Sequence, residues 1–110
     1  FKILVCSESL EEGKEIAQFK PDFIDYEPPE LIGGDVSVCS AKPEIIRDFV
    51  KEIKDIPVLV GAGIHTAQDV KKAIELRAVG ILVSSAVVLA KDSKKILLDL
   101  TEGFKKFKER

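Results

Sequence analysis

The chain has 110 residues, with 17 Lys+Arg against 19 Asp+Glu and a formal net charge of −2. Its composition, 45% apolar and 33% charged, excludes a disordered or fibrous chain, and its length fits one domain over residues 1–110. The near-neutral balance argues against nucleic acid as a partner, and no apolar run approaches the ~20 residues of a bilayer span, so no membrane partner is expected.

Residues 2–6 (KILVC) form a short continuous apolar run, the pattern of a strand buried on both faces. Ser9 and Glu12 make a capping box, after which Leu10, Gly13, Ile16 and Ala17 recur at helical spacing. Pro21 ends that helix, and Phe23–Tyr26 is the second strand. Residues 28–42 are rich in Pro, Gly and Ser and read as one long loop. Pro43 suits a first helical turn, with Ile45, Ile46, Phe49, Val50 and Ile53 on one stripe behind it. Pro57 precedes a third strand over 58–60, which runs into Gly61, Ala62 and Gly63. Thr66 and Asp69 make a second capping box, and Val70, Ala73 and Ile74 face one side of a helix ending near Leu76. Residues 80–84 are the fourth strand. A last helix begins near Ser93, with Ile96, Leu97, Leu100, Phe104 and Phe107 on one side and a solvated lysine face on the other.

The order βαβαβαβα predicts an α/β fold with parallel strands and right-handed crossovers. Four βα units are half of an eight-unit barrel, which typically takes ~250 residues. The pattern fits such a half-barrel and also a small open α/β sandwich. Cys6, Cys39 and the single histidine, His65, stand in no metal-ligand spacing. No metal, cofactor or disulfide framework is therefore expected, and a reducing cytoplasm is the expected compartment. There is no Met, and Phe1 opens inside a strand pattern without a leader, so a piece of something larger or an engineered unit is expected.

Ligands in parallel α/β folds sit at the carboxyl ends of strands. There Gly61-Ala62-Gly63 and Ser84-Ser85-Ala86 lie close to helix starts, where bare backbone N–H groups can approach an anion. The pair reads as a phosphate cradle, or equally as tight turns that need small residues and positive φ. Glu27 closes the second strand under a loop able to shut over it, a position for proton abstraction beside a carbonyl. By position alone it also reads as a surface carboxylate. Asp25 shares its face, roughly 6–7 Å away at strand rise. Buried and unpaired, Asp25 would cost on the order of several kcal/mol or hold its proton to unusually high pH. An acid/base pair with Glu27, a wet face, or cations across an interface are the alternatives.

The stretch Tyr26-Glu27-Pro28-Pro29-Glu30-Leu31-Ile32-Gly33-Gly34 resembles the triosephosphate isomerases, specifically the short archaeal type. In that type Glu-Pro-Pro-Glu-Leu-Ile-Gly opens a mobile lid. The resemblance continues over residues 36–38, 41–44, 58–64, 69–76 and 79–88, and maps the chain onto the last four βα units of that barrel. It implies that Glu27 is the base that moves a proton between the two carbons flanking the carbonyl of a triose phosphate. It also implies a first lid hinge at Pro28, Pro29 and Glu30, and a lid N–H from Gly33 to the phosphate. Gly61, Ala62, Gly63, Ser84, Ser85 and Ala86 would complete the cradle, and Cys6 would pack near the base.

The family's substrate-binding lysine and electrophilic histidine lie on strands of the first half, which this chain lacks. His65, at a helix start, does not match that histidine and reads as a surface residue. Ala86 and Arg77 stand where the family usually has Gly, Cys39 where it has a small hydroxyl residue, and Asp25 where it has a small uncharged one. The resemblance thus implies half of an isomerase, inactive without its complement, or a scaffold that self-associates without catalysis. A homo-oligomer is expected, because half a barrel leaves one sheet face and two strand edges uncovered.

Overall fold

The computed structural model describes the backbone of residues 1–108 and the side chains of residues 1–105. Four strands, β1 (Leu4–Ser7), β2 (Phe23–Tyr26), β3 (Val58–Gly61) and β4 (Gly80–Leu82), form one sheet in the order β1-β2-β3-β4. Every neighbouring pair is parallel. The helices are α1 (Leu10–Ala17), α2 (Val38–Ala41), α3 (Pro43–Glu52), α4 (Ala67–Glu75), α5 (Ser85–Val88) and α6 (Ser93–Lys108). Each strand adds beside its predecessor, so right-handed crossovers put the connecting helices on one side of the sheet.

Burial follows that rule. Ile24, Tyr26, Val58 and Val60 enter a core shared with Ile46 and Phe49 of α3 and Val70 and Ala73 of α4. The Tyr26 and Phe49 rings meet at a centroid distance of 4.8 Å. On the opposite face Leu4 and Cys6 are exposed, while Phe23, Leu59 and Leu82 are half-buried. A sandwich would cover both faces, so the chain is a half-barrel. The expectation that the first strand is buried on both faces is corrected for the same reason. That strand also starts at Leu4, since the Ile3 backbone N–H donates to Asp22 Oδ2 at 2.7 Å.

Local chemistry explains the helix ends. Ser9 Oγ accepts from the Glu12 N–H at 3.2 Å, but the Glu12 carboxylate turns to the Glu8 N–H, so only half the expected box forms. The Thr66–Asp69 box is complete, with reciprocal bonds of 3.2 and 3.1 Å. A cap of this kind contributes about 1 kcal/mol. Residues 28–42 are more ordered than a single loop. They hold a 3-10 turn at Pro29–Leu31 and the short α2, where Ser37 Oγ accepts from the Cys39 N–H at 3.0 Å. Cys39 itself is fully buried in the core.

At Gly103 a Cβ would stand 2.5 Å from the Ala67 carbonyl oxygen, so the bare glycine lets α6 lie tight on α4. Leu100 is buried there and Ile96 and Phe104 are half-buried, but Leu97 is exposed, because among the described residues α6 packs chiefly against α4 and α5. The side chain of Phe107 lies outside the described residues. Among the described residues no helix is long and apolar enough to cross a membrane.

Candidate active site

The carboxyl ends of β2, β3 and β4 open into a cavity of about 340 Å³. It brings together Glu27, Gly33, Ala62, Gly63, Ser84, Ser85 and Ala86, drawn from four separate stretches of chain. Gly61 is not on its wall. A Cβ there would stand 2.7 Å from Glu27 Cδ, so this glycine makes room for the Glu27 carboxyl group. Pro28, Pro29 and Glu30 also lie off the wall, with Pro28 buried and the other two in the 3-10 turn. Ile32, Ile64, His65, Leu82 and Val83 complete the lining.

Glu27 is placed by the sheet. Its N–H donates to the Ser7 carbonyl at 2.9 Å, which carries the β1–β2 ladder one residue past Tyr26. Opposite it, Ala62 and Gly63 take φ of 89° and 69°. Glycine adopts such angles freely, whereas Ala62 carries strain of about 1–2 kcal/mol. At Gly63 a Cβ would run into the Val36 carbonyl, so the returning end of the loop rests on bare backbone. The Val38 N–H donates to the Ala62 carbonyl at 3.1 Å and holds that seat. The tight-turn reading of Gly61–Gly63 therefore holds, and the same turn walls the cavity.

His65 is not the surface residue that its helix-start position suggested. It is half-buried, and Nε2–H donates to the Gly34 carbonyl at 2.8 Å. Its own backbone N–H donates to Asp69 Oδ2 at 3.0 Å, so the N-terminal turn of α4 orients it. The ring thus ties the loop tip to the cavity wall. Its partner is 31 residues away, and no local pattern signals the contact.

On the open face, Cys6 and Asp25 are paired in register across β1 and β2. One ligating atom from each of Cys6, Asp25 and Glu27 lies within 4.8 Å of the others. Asp25 is fully buried, and neither carboxylate oxygen has a hydrogen-bond partner among the described residues. Burial first, and then Glu27, push its carboxyl group up to about 8. Partial burial and the same two carboxylates push the Cys6 thiol up to about 11. Cys6 does stand near Glu27, but as an exposed thiol rather than a packing residue.

The sequence pattern of the triosephosphate isomerase family matches residues 3–101. The chain belongs to the triosephosphate isomerase family. It is 54% identical over 102 residues to the triosephosphate isomerase of Thermoplasma volcanium, covering 91% of this chain and 48% of that one. The enzyme of Methanothermus fervidus is 46% identical over 101 residues, with 88% and 46% covered. The chain therefore spans about half the length of the triosephosphate isomerases it matches. Among solved structures, one described as "Native KDPGal structure" superposes with a TM-score of 0.78 at 11% identity. It covers 100% of this chain and 51% of that one, a likeness of fold alone.

Proposed function

We propose that this chain supplies the phosphate-binding and proton-transferring half of a triosephosphate isomerase site, its units being the last four of the barrel. The observation that carries this reading is the cavity that Glu27 shares with the backbone turns at 62–63 and 84–86. A triose phosphate would lie with its phosphate against the N–H groups of Gly33, Gly63, Ser85 and Ala86, with Gly61 and Ser84 shaping the turns. Glu27 takes a proton from one carbon beside the carbonyl and returns it to the other. Atoms and electrons balance within the substrate, so the step needs no cofactor. Pro28, Pro29 and Glu30 hinge the lid, and His65 holds its tip down through Gly34.

Negative charge develops on the carbonyl oxygen during that transfer, and stabilising it is usually the largest catalytic contribution. The family's lysine and histidine that do so belong to the first-half strands. The isolated chain is then a half-site with negligible turnover, and its working partner is a chain carrying the first four βα units. Mixing the two and following isomerisation tests this. Turnover by this chain alone within about tenfold of an ordinary isomerase would overturn it. The free thiols of Cys6 and Cys39 suit the reducing cytoplasm in which such an enzyme would work.

A second reading rests on the open face and the unpaired outer edges of β1 and β4. A second copy of the chain would bring the strand number to the eight of a closed barrel, without a complete catalytic set. Light scattering separates the two: a dimer of the chain alone favours the second.

A further inference from the structure

The Cys6, Asp25 and Glu27 side chains project from adjacent strands onto the open face of the sheet, outside the cavity except for Glu27. Their ligating atoms cluster within 4.8 Å. Asp25 is an independent sign of a ligand here, because it is wholly buried with neither oxygen partnered among the described residues. Buried polar groups are ordinarily hydrogen-bonded, and a buried charge is ordinarily paired or bound to a metal. Among the described residues no lysine or arginine forms an ion pair with it.

We propose that Cys6, Asp25 and Glu27 form a site for a divalent transition metal, with zinc the best match. The donor set is one sulfur and two carboxylates. Magnesium and calcium prefer oxygen alone and would leave the sulfur unused, whereas zinc accepts both donor types. Zinc binds sulfur at about 2.3 Å and carboxylate oxygen at about 2.0–2.2 Å, which sets tetrahedral ligand atoms about 3.5 Å apart. The three side chains close by roughly 1 Å from their 4.8 Å spread to reach that geometry. Cys6 is exposed, so the fourth position faces solvent and takes water.

Binding is a ligand exchange and needs no other reagent. Zinc gains bonds to Sγ and to one oxygen of each carboxylate, its displaced waters return to solvent, and the thiol proton, together with the proton Asp25 holds below about pH 8, passes to solvent. The metal gives the orphaned oxygens of Asp25 a partner and screens them from Glu27. This inference rests on the open face of the sheet and stands apart from the proposed function: a Glu27 carboxylate bound to zinc is withdrawn from proton transfer, so metal binding and isomerisation exclude one another at this residue. Cys6 and Asp25 are 19 positions apart, so no ligand spacing announces the site; only the β1–β2 register makes it.

The test is a calorimetric zinc titration of the chelator-treated chain, with a parallel cobalt(II) titration followed by absorbance. One metal per chain and a near-ultraviolet thiolate-to-cobalt charge-transfer band are expected. Cys6→Ser removes the band. Asp25→Asn weakens zinc binding by more than about 100-fold, beyond the 10–100-fold typical of residues that only orient a ligand. Cys39→Ser changes neither. Circular dichroism checks that each variant folds, and Glu27→Gln carries the same zinc test should Asp25→Asn fail to do so. Absent stoichiometric binding, a band that survives Cys6→Ser, or unchanged zinc affinity in the carboxylate variants would overturn the proposal.

Discussion

Asp25 and Glu27 point to the same face of β2, two residues apart, yet Asp25 is sealed from solvent, its oxygens without a hydrogen-bond partner among the described residues, while Glu27 is only half-buried. The folded chain holds a proton on Asp25 up to about pH 8, against 3.8 for an ordinary aspartate. Between those values the folded state binds more protons than the unfolded one, so stability falls as pH rises from about 4 to about 8. Asp25→Asn should flatten that slope and stabilise the chain at pH 8 by on the order of a few kcal/mol. Urea unfolding at several pH values, in chelator, checks it. A flat wild-type profile would mean that Asp25 is solvated or paired.

If the chain self-associates through its open face, the same protonation should tighten the dimer. Two copies would bring four of these carboxylates together, and their repulsion eases as Asp25 takes up its proton below about pH 8. Light scattering should then show a larger mean mass at pH 5 than at pH 8. The reverse order would place the contact elsewhere.

Arg77 follows α4 with φ of 77°, a left-handed angle at an exposed position. Arg77→Gly should stabilise the chain by about 1 kcal/mol, because the Cβ strain is removed without loss of a buried contact. That corresponds to a rise of roughly 4–8 °C in Tm. A fall in Tm would show that the arginine side chain makes a stabilising contact.

His65→Ala removes the 2.8 Å bond to the Gly34 carbonyl. The expected effect is local, about 1 kcal/mol. Amide exchange should quicken over residues 33–36 and stay unchanged in β2 and β3. Uniformly faster exchange would make His65 a general stability residue and not a tie on the loop.

Much of the fold is legible in the sequence. Phe23–Tyr26 is a strand within the same bounds as its apolar pattern, and the Thr66–Asp69 box closes as its spacing implies. Of the residues singled out in the sequence, Glu27, Gly33, Ala62, Gly63, Ser84, Ser85 and Ala86 line the cavity, whereas Gly61, Pro28, Pro29 and Glu30 do not. What stayed hidden depends on contacts between distant segments. His65 meets Gly34 only because the loop folds back over β3, and Cys6 meets Asp25 only through strand register. Residues 28–42 conceal two short helices, since Pro, Ser and Gly serve caps and turns as readily as loops. The exposure of Leu97 follows from how few elements cover α6, which periodicity along one helix does not encode.

As one half of an isomerase site, the chain should gain turnover only when its complement is present. Purified chain mixed with the family's first four βα units should interconvert glyceraldehyde 3-phosphate and dihydroxyacetone phosphate, while each half alone shows negligible turnover. Glu27→Gln in the mixture should then lower kcat by about 10²–10⁴-fold, the range for losing a general base. A stable mixed complex whose rate is unchanged by Glu27→Gln would contradict the account, as would full activity in this chain alone.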